Sequence, residues 1–159
     1  MSPRSGMTTT GRGGGLVALQ VAVGATVLLV GSQAPKPSGG ATARAIAAVG
    51  LTLGATIILV LSSGALGRAL TVFPRPRPGA PLTQRGPYRV VRHPIYTAVL
   101  ALALAVAIAG SPYAIIPTAM LAIVLDQKAS LEEVWLIEAR PEYATYRAAV
   151  RWRFVPGIR

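Results

Sequence analysis

The residues of this 159-residue chain best suited to chemistry fall in two short segments. The first is Arg85-Gly86-Pro87-Tyr88-Arg89-Val90-Val91-Arg92-His93-Pro94-Ile95-Tyr96. Pro94 suits the first position of a helix, where its missing N–H leaves no bond unmade. His93 is then the N-cap or its neighbour. The free N–H groups of a helix start favour an anion, and Arg89 and Arg92 strengthen the positive field. Tyr96 lies about one turn into the helix, near His93. Two readings fit this segment: a pocket for a carboxylate or phosphate, or a basic, aromatic anchor at a membrane interface. The second segment is Ser130-Leu131-Glu132-Glu133. Ser130 and Glu133 have capping-box spacing, which gives Glu133 a purely structural reading. Glu132 is left unexplained. Adjacent glutamates are unusual in a chain with five acidic residues. Such a pair could hold an ammonium group or balance a cationic centre.

Composition removes several other chemistries. There is no cysteine, so disulfides, thiolate metal sites, iron–sulfur clusters and cysteine nucleophiles are excluded. A single histidine excludes an all-histidine metal site within one chain. The glycine run Gly11–Gly15 follows no strand and completes no dinucleotide fingerprint. There is no phosphate-binding lysine loop and no G-x-S-x-G nucleophile elbow.

The elements that must position these residues lie in a membrane. The chain is 52% hydrophobic and 13% charged, with a mean hydropathy of +0.53, whereas soluble domains carry about a quarter charged residues. Three stretches carry no charge: Gly13–Pro35, Ala45–Gly67 and Pro94–Leu125. A spanning helix needs roughly 17 to 25 apolar residues. The first two stretches hold one span each, centred on Leu16–Val30 and Ile46–Leu61. The third is too long for one span and contains the turn Gly110-Ser111-Pro112, so it reads as a hairpin of Pro94–Ala109 and Pro112–Gln127. Gly50 and Gly54 in the second span have the spacing of close helix contacts, which ordinary packing explains. Before the hairpin, four prolines within Phe73–Pro81 rule out a regular helix and leave an extended connector over the membrane surface.

Sixteen basic residues against five acidic ones give a net charge of +11. Six of the basic residues lie in Arg68–Arg92 and six in Lys128–Arg159, with none in the Gly110 turn. Basic residues collect on the cytoplasmic side. Both termini and both of these segments are therefore placed in the cytoplasm. Eight of the nine aromatic residues fall in or beside the same two segments. Topology and anionic headgroups explain the basic excess, and nucleic acid is not needed. Arg4 and Arg12 before an apolar run also resemble a signal peptide, but Pro35 after Ala34 makes a poor cleavage site. Beyond Pro141, Tyr143, Tyr146, Val150 and Phe154 recur at helical steps. That pattern predicts an apolar stripe lying on the bilayer, with Arg147, Arg151 and Arg153 reaching headgroups. The expected fold is an all-α, polytopic membrane bundle of about four transmembrane helices with a C-terminal amphipathic interfacial segment. Its expected divisions are a disordered tail over 1–14, two transmembrane helices over 15–67 and a core over 68–159.

The ordered set Gly86-Pro87-Tyr88-Arg89, Arg92-His93-Pro94-x-Tyr96, Glu132-Glu133 and Glu142-Tyr143-x-x-Tyr146 resembles the isoprenylcysteine carboxyl methyltransferase and phospholipid methyltransferase superfamily. The likeness covers about Pro81 to Gly157. It implies a small integral-membrane enzyme that uses S-adenosylmethionine and releases S-adenosylhomocysteine. It implies cofactor contacts from Tyr88, Arg92, His93, Pro94, Tyr96, Glu132 and Glu133, and catalytic roles for Tyr146, Arg151 and Arg153. The acceptor would be the carboxylate or amine of an isoprenoid- or lipid-like molecule, and a homodimer is compatible with so small a bundle. The chain departs from the family's pattern at Ala98, where many members have glycine. The family's arginine near the tail maps to either Arg151 or Arg153. Two other readings stay open: a non-catalytic membrane scaffold, and a nicotinamide-dependent membrane reductase.

Overall fold

A computed structural model describes residues 13–158 of the chain. The tail expected over 1–14, with Arg4 and Arg12 of the signal-peptide reading, lies outside the described residues except for Gly13 and Gly14. Gly13 caps the first helix and Gly14 opens it. The α-helices are α1 (Gly14–Gln33), α2 (Ala41–Leu66), α3 (Pro94–Ala109), α4 (Ile115–Ala139) and α5 (Glu142–Ala149). There is no strand among the described residues. α1, α2 and α4 are long and apolar enough to cross a membrane. α3, at 16 residues, is about 24 Å long, short of a ~30 Å hydrocarbon core.

α2 packs along α3, and α1 lies against α4 and α3. The buried residues of α2 are Ala48, Ala55 and Ser62, seven apart, and those of α3 include Ala98, Ala103, Ala105 and Ala107. Small side chains let helix backbones approach, which matters where lipid removes the hydrophobic drive between helices. Val23 and Val27 of α1, Ala103 of α3 and Leu121, Val124 and Leu125 of α4 form the apolar core. The outer face of α2 exposes Ile46, Val49, Leu53, Ile57 and Val60. Gly50 and Gly54 belong to that open side, since a Cβ on either would meet nothing within 4 Å.

The two hairpin turns meet at one end of the bundle. The Ser111 amide donates to the Gly31 carbonyl at 3.1 Å, and its hydroxyl donates to the Pro35 carbonyl at 2.7 Å. Gly110 must be glycine there, because a Cβ would overlap the Gly31 carbonyl. The opposite end gathers the start of α1, the 67–93 connector, the end of α4 and the C-terminal segment.

Two local expectations need correction. The fourth helix does not stop at Gln127 and restart at Ser130; α4 runs unbroken to Ala139. Charge at the end of an apolar run is no helix stop, and no proline or glycine interrupts the chain there. The Ser130 hydroxyl donates back to the Asp126 carbonyl at 2.9 Å, so it is not an N-cap. The aromatic stripe also does not continue down one helix. α5 ends at Ala149, and the chain beyond it runs extended beside residues 91–93. Tyr143 and Tyr146 turn into the protein rather than onto the bilayer.

Candidate functional site

Pro87 opens a 3₁₀ turn over Gly86–Arg89 that buries Tyr88 and delivers the chain to the start of α3. His93 caps that helix and Pro94, fully buried, is its first residue. The extended C-terminal segment fixes this corner from the other side. The amides of Arg92 and His93 donate to the carbonyls of Trp152 (2.9 Å) and Arg153 (3.0 Å), and the Thr97 hydroxyl donates to the Phe154 carbonyl (2.6 Å). The Tyr146 hydroxyl donates to the Tyr88 carbonyl at 2.7 Å, tying α5 to the 3₁₀ turn.

The glutamates of α4 meet this corner on two sides. Glu133, 2% exposed, receives Arg92 Nε at 2.9 Å and lies 3.1 Å from His93 Nε2. Arg147 Nε at 3.4 Å and Arg153 Nη2 at 3.5 Å complete its surroundings. Arg92 also donates through Nη1 to the carbonyls of Val150 (2.8 Å) and Arg151 (2.7 Å). Arg153 binds Asp126 (2.5 Å) and Ser130 (3.0 Å) as well. Glu132 faces the other way. Its Oε2 accepts the Tyr96 hydroxyl at 2.9 Å and lies 3.7 Å from His93 Nδ1. The His93 and Tyr96 rings are stacked, 5.3 Å apart and 6° from parallel.

A cavity of about 290 Å³ opens on the Glu132 side. Small-molecule sites begin at roughly this size. Tyr88, Arg92, His93, Tyr96, Glu132, Lys128, Tyr143, Tyr146 and Arg140 provide its polar lining, with Val17, Val21, Leu66, Leu70, Ile95 and Val99 as apolar walls. Of the residues singled out in the sequence, Tyr88, Arg92, His93, Tyr96, Glu132 and Tyr146 line the cavity. Pro94, Glu133 and Arg153 do not; they stand behind it, in the packing that sets the shape of the corner, whereas the expected catalytic Arg151 is exposed and joins the corner only through its carbonyl, which accepts from Arg92. Ala98 is fully buried.

Burial holds the tyrosine hydroxyls outside the spans in their neutral form. It pushes the Tyr146 hydroxyl up to about 12 and those of Tyr88 and Tyr143 higher still, with the charge of Glu132 adding to the effect on both and that of Glu133 on Tyr143. They can donate hydrogen bonds but do not act as phenolates. The Tyr143 hydroxyl is buried without a hydrogen-bond partner among the described residues.

Four residues of the site escaped the sequence reading. Lys128 stands out as a charge inside α4, yet it read only as a flank. Gln20 is a single amide in the apolar run of α1. Tyr143 was assigned to the bilayer, and Arg140 to the cytoplasmic surface.

No curated protein matches the chain. The family model for phospholipid methyltransferase matches residues 43–139, from the start of α2 to the end of α4. The match includes Arg92–Tyr96 and Glu132-Glu133 and stops before α5, so Tyr143, Tyr146, Arg151 and Arg153 lie beyond it. With more than half of its length matched, the chain belongs to the phospholipid methyltransferase family.

Proposed function

We propose that the protein transfers a methyl group from S-adenosylmethionine to a lipophilic acceptor at the cytoplasmic face of the membrane. The observation that carries this reading is the cavity itself, whose charged and aromatic wall of Glu132, His93 and Tyr96 faces apolar walls from α1, α2 and α3. The polar lining fits a zwitterionic sulfonium donor. Glu132 keeps a carboxylate at the cavity for an ammonium group. Arg140 at the end of α4 suits a carboxylate. The rings of Tyr96 and Tyr88 suit a sulfonium by cation–π attraction. The unpartnered Tyr143 hydroxyl has a hydrogen bond to give.

S-adenosylmethionine, when bound, supplies an already activated methyl group for direct displacement. The chain therefore needs no nucleophile of its own. Tyr96 and His93 hold the Glu132 carboxylate in one orientation, and Glu133 with Arg92 fixes the helix start that presents His93. The apolar walls exclude water and admit a lipid-like acceptor from the bilayer side. Alignment of this kind contributes on the order of 7 to 11 kcal/mol in favourable cases. The basic flanks support a cytoplasmic position for this end of the bundle and for both termini.

The test is binding of labelled S-adenosylmethionine to the full chain in lipid nanodiscs. Saturable binding to the wild type, weakened at least about tenfold by Glu132→Gln, is expected. A folded wild type without saturable binding would overturn the proposal.

A further inference from the structure

Lys128 lies one turn before Glu132 on α4, on the same side of the helix, and lines the same cavity. It is 3% exposed. Its ammonium donates to Gln20 Oε1 of α1 at 2.6 Å and sits 5.2 Å from the centre of the Tyr96 ring. None of the ion pairs among the described residues includes it. An ammonium has three N–H donors, and Gln20 takes one. A buried cation with no carboxylate in contact is costly, and in a membrane helix such groups mark the path of a ligand.

The other cations at this end are committed or distant; Arg77, which also lines the cavity, donates to the Arg68 carbonyl at 3.1 Å. Arg92 is held by Glu133 and two carbonyls, and Arg153 by Asp126, Ser130 and Glu133. Arg140 follows Lys128 by twelve residues, about 18 Å along the helix axis. Beside Gln20, Tyr96 and Glu132 the same cavity presents apolar side chains, Val17 and Val21 from α1 and Ile95 and Val99 from α3. A fixed cation flanked by aliphatic walls is complementary to an anionic head on a hydrocarbon tail.

We propose that Lys128, held in place by Gln20, anchors the anionic oxygen group of a lipophilic ligand, a carboxylate or a phosphate, and thereby selects the acceptor. That this ligand is the methyl acceptor rests on the proposed function; that the cavity binds a lipophilic anion does not. The charge balance points the same way. Lys128 and Glu132 offset one another, so a donor with one net positive charge leaves a place for one negative charge. An alkylammonium would meet like charge in the same place.

The experiment measures binding of radiolabelled dodecanoate, dodecyl phosphate and dodecylamine to the full chain in zwitterionic nanodiscs at neutral pH, without S-adenosylmethionine and with Glu132→Gln in place, so that the carboxylate sharing the cavity does not hold the amine. Saturable binding of dodecanoate or dodecyl phosphate is expected, with dodecylamine at least about tenfold weaker, the size of one charge-assisted hydrogen bond. The two anion arms separate a carboxylate ligand from a phosphate one. Lys128→Met should remove the preference for the anion, Lys128→Arg should retain it, and Gln20→Leu should reduce it. Dodecylamine binding equal to or tighter than both anions on the Glu132→Gln background would by itself overturn the inference, as would an undiminished preference when Lys128→Met is added to that folded background. Donor binding is read separately, so its failure sinks the proposed function and leaves this result standing.

Discussion

Glu132 and Glu133 are consecutive on α4, yet they serve two different regions. Adjacent residues on a helix point about 100° apart. Glu133 turns toward α5 and the C-terminal segment, where Arg92, His93, Arg147 and Arg153 surround its carboxylate. Its charge is consumed by the chain. Glu132 turns toward the cavity, is 27% exposed, and is held by a tyrosine hydroxyl and the edge of His93. Its carboxyl is left facing the cavity. A doubled acidic motif is thus two devices, one that fastens the C-terminal segment onto the start of α3 and one that faces the cavity. His93 stands between them, with one ring nitrogen toward each glutamate.

The largest effect is expected from Glu133→Ala. It leaves Arg92, itself buried, without its carboxylate, and breaking a buried ion pair from one side costs about 3–5 kcal/mol. Thermal unfolding in detergent should shift down strongly, and limited proteolysis should cleave the segment after Arg147 faster. If Glu133→Ala keeps the wild-type unfolding temperature, the two glutamates are not divided in this way.

Glu132→Gln should do the reverse. The amide keeps the shape and can still accept from Tyr96, so stability should stay within about 1 kcal/mol of wild type. Donor affinity should fall 10- to 100-fold, the loss of one charge-assisted hydrogen bond of about 1.5–3 kcal/mol. Equal losses of stability in both glutamine and alanine variants at the two positions would erase the distinction.

Much of this arrangement was legible in the sequence, and the failures have physical causes. The bundle of four apolar helices follows from three charge-free stretches because lipid cannot solvate charge. Arg92, His93, Tyr96 and Glu132 were found because a proline-started helix and an isolated acid pair are local signals. The end of α4 was misplaced because a helix can outrun the hydrocarbon layer without a breaker. Tyr143 and Tyr146 were put on the right spacing and the wrong side, since periodicity defines a face but not whether lipid or protein covers it. The pairing of residues 150–154 with 91–93 spans some sixty positions, and nothing local encodes it. Lys128 was visible as a charge, but only its distance from Gln20 and Tyr96 distinguishes a buried cation from a flank.

Tyr146→Phe sharpens the structural side. It removes the 2.7 Å bond to the Tyr88 carbonyl, at a cost of about 1–2 kcal/mol. It also carries a pH signature. Burial raises the folded-state Tyr146 hydroxyl from 10.0 to about 12, above its unfolded value. Its contribution to stability is therefore complete below pH 10 and is lost as pH rises through 12. Unfolding temperature measured from pH 9 to 12 should fall less steeply in the phenylalanine variant. Parallel curves would show that this hydroxyl is not held neutral by the fold.

The smallest effect belongs to Gly50→Ala, which tests the comparison from outside both regions. Glycine in a helix interior usually persists for a close contact, and Gly50 with Gly54 has the spacing of one. Among the described residues neither meets a neighbour: a Cβ at Gly50 finds nothing within 4 Å, and Val49 and Leu53 beside it are exposed. Alanine should change stability by no more than about 0.5 kcal/mol and leave donor binding as in wild type. A loss of several degrees in unfolding temperature would mean that something covers this face of α2, and a second copy of the chain could be sought there by cross-linking in the membrane. No effect would confine the sensitive positions to the end of the bundle where the glutamates divide.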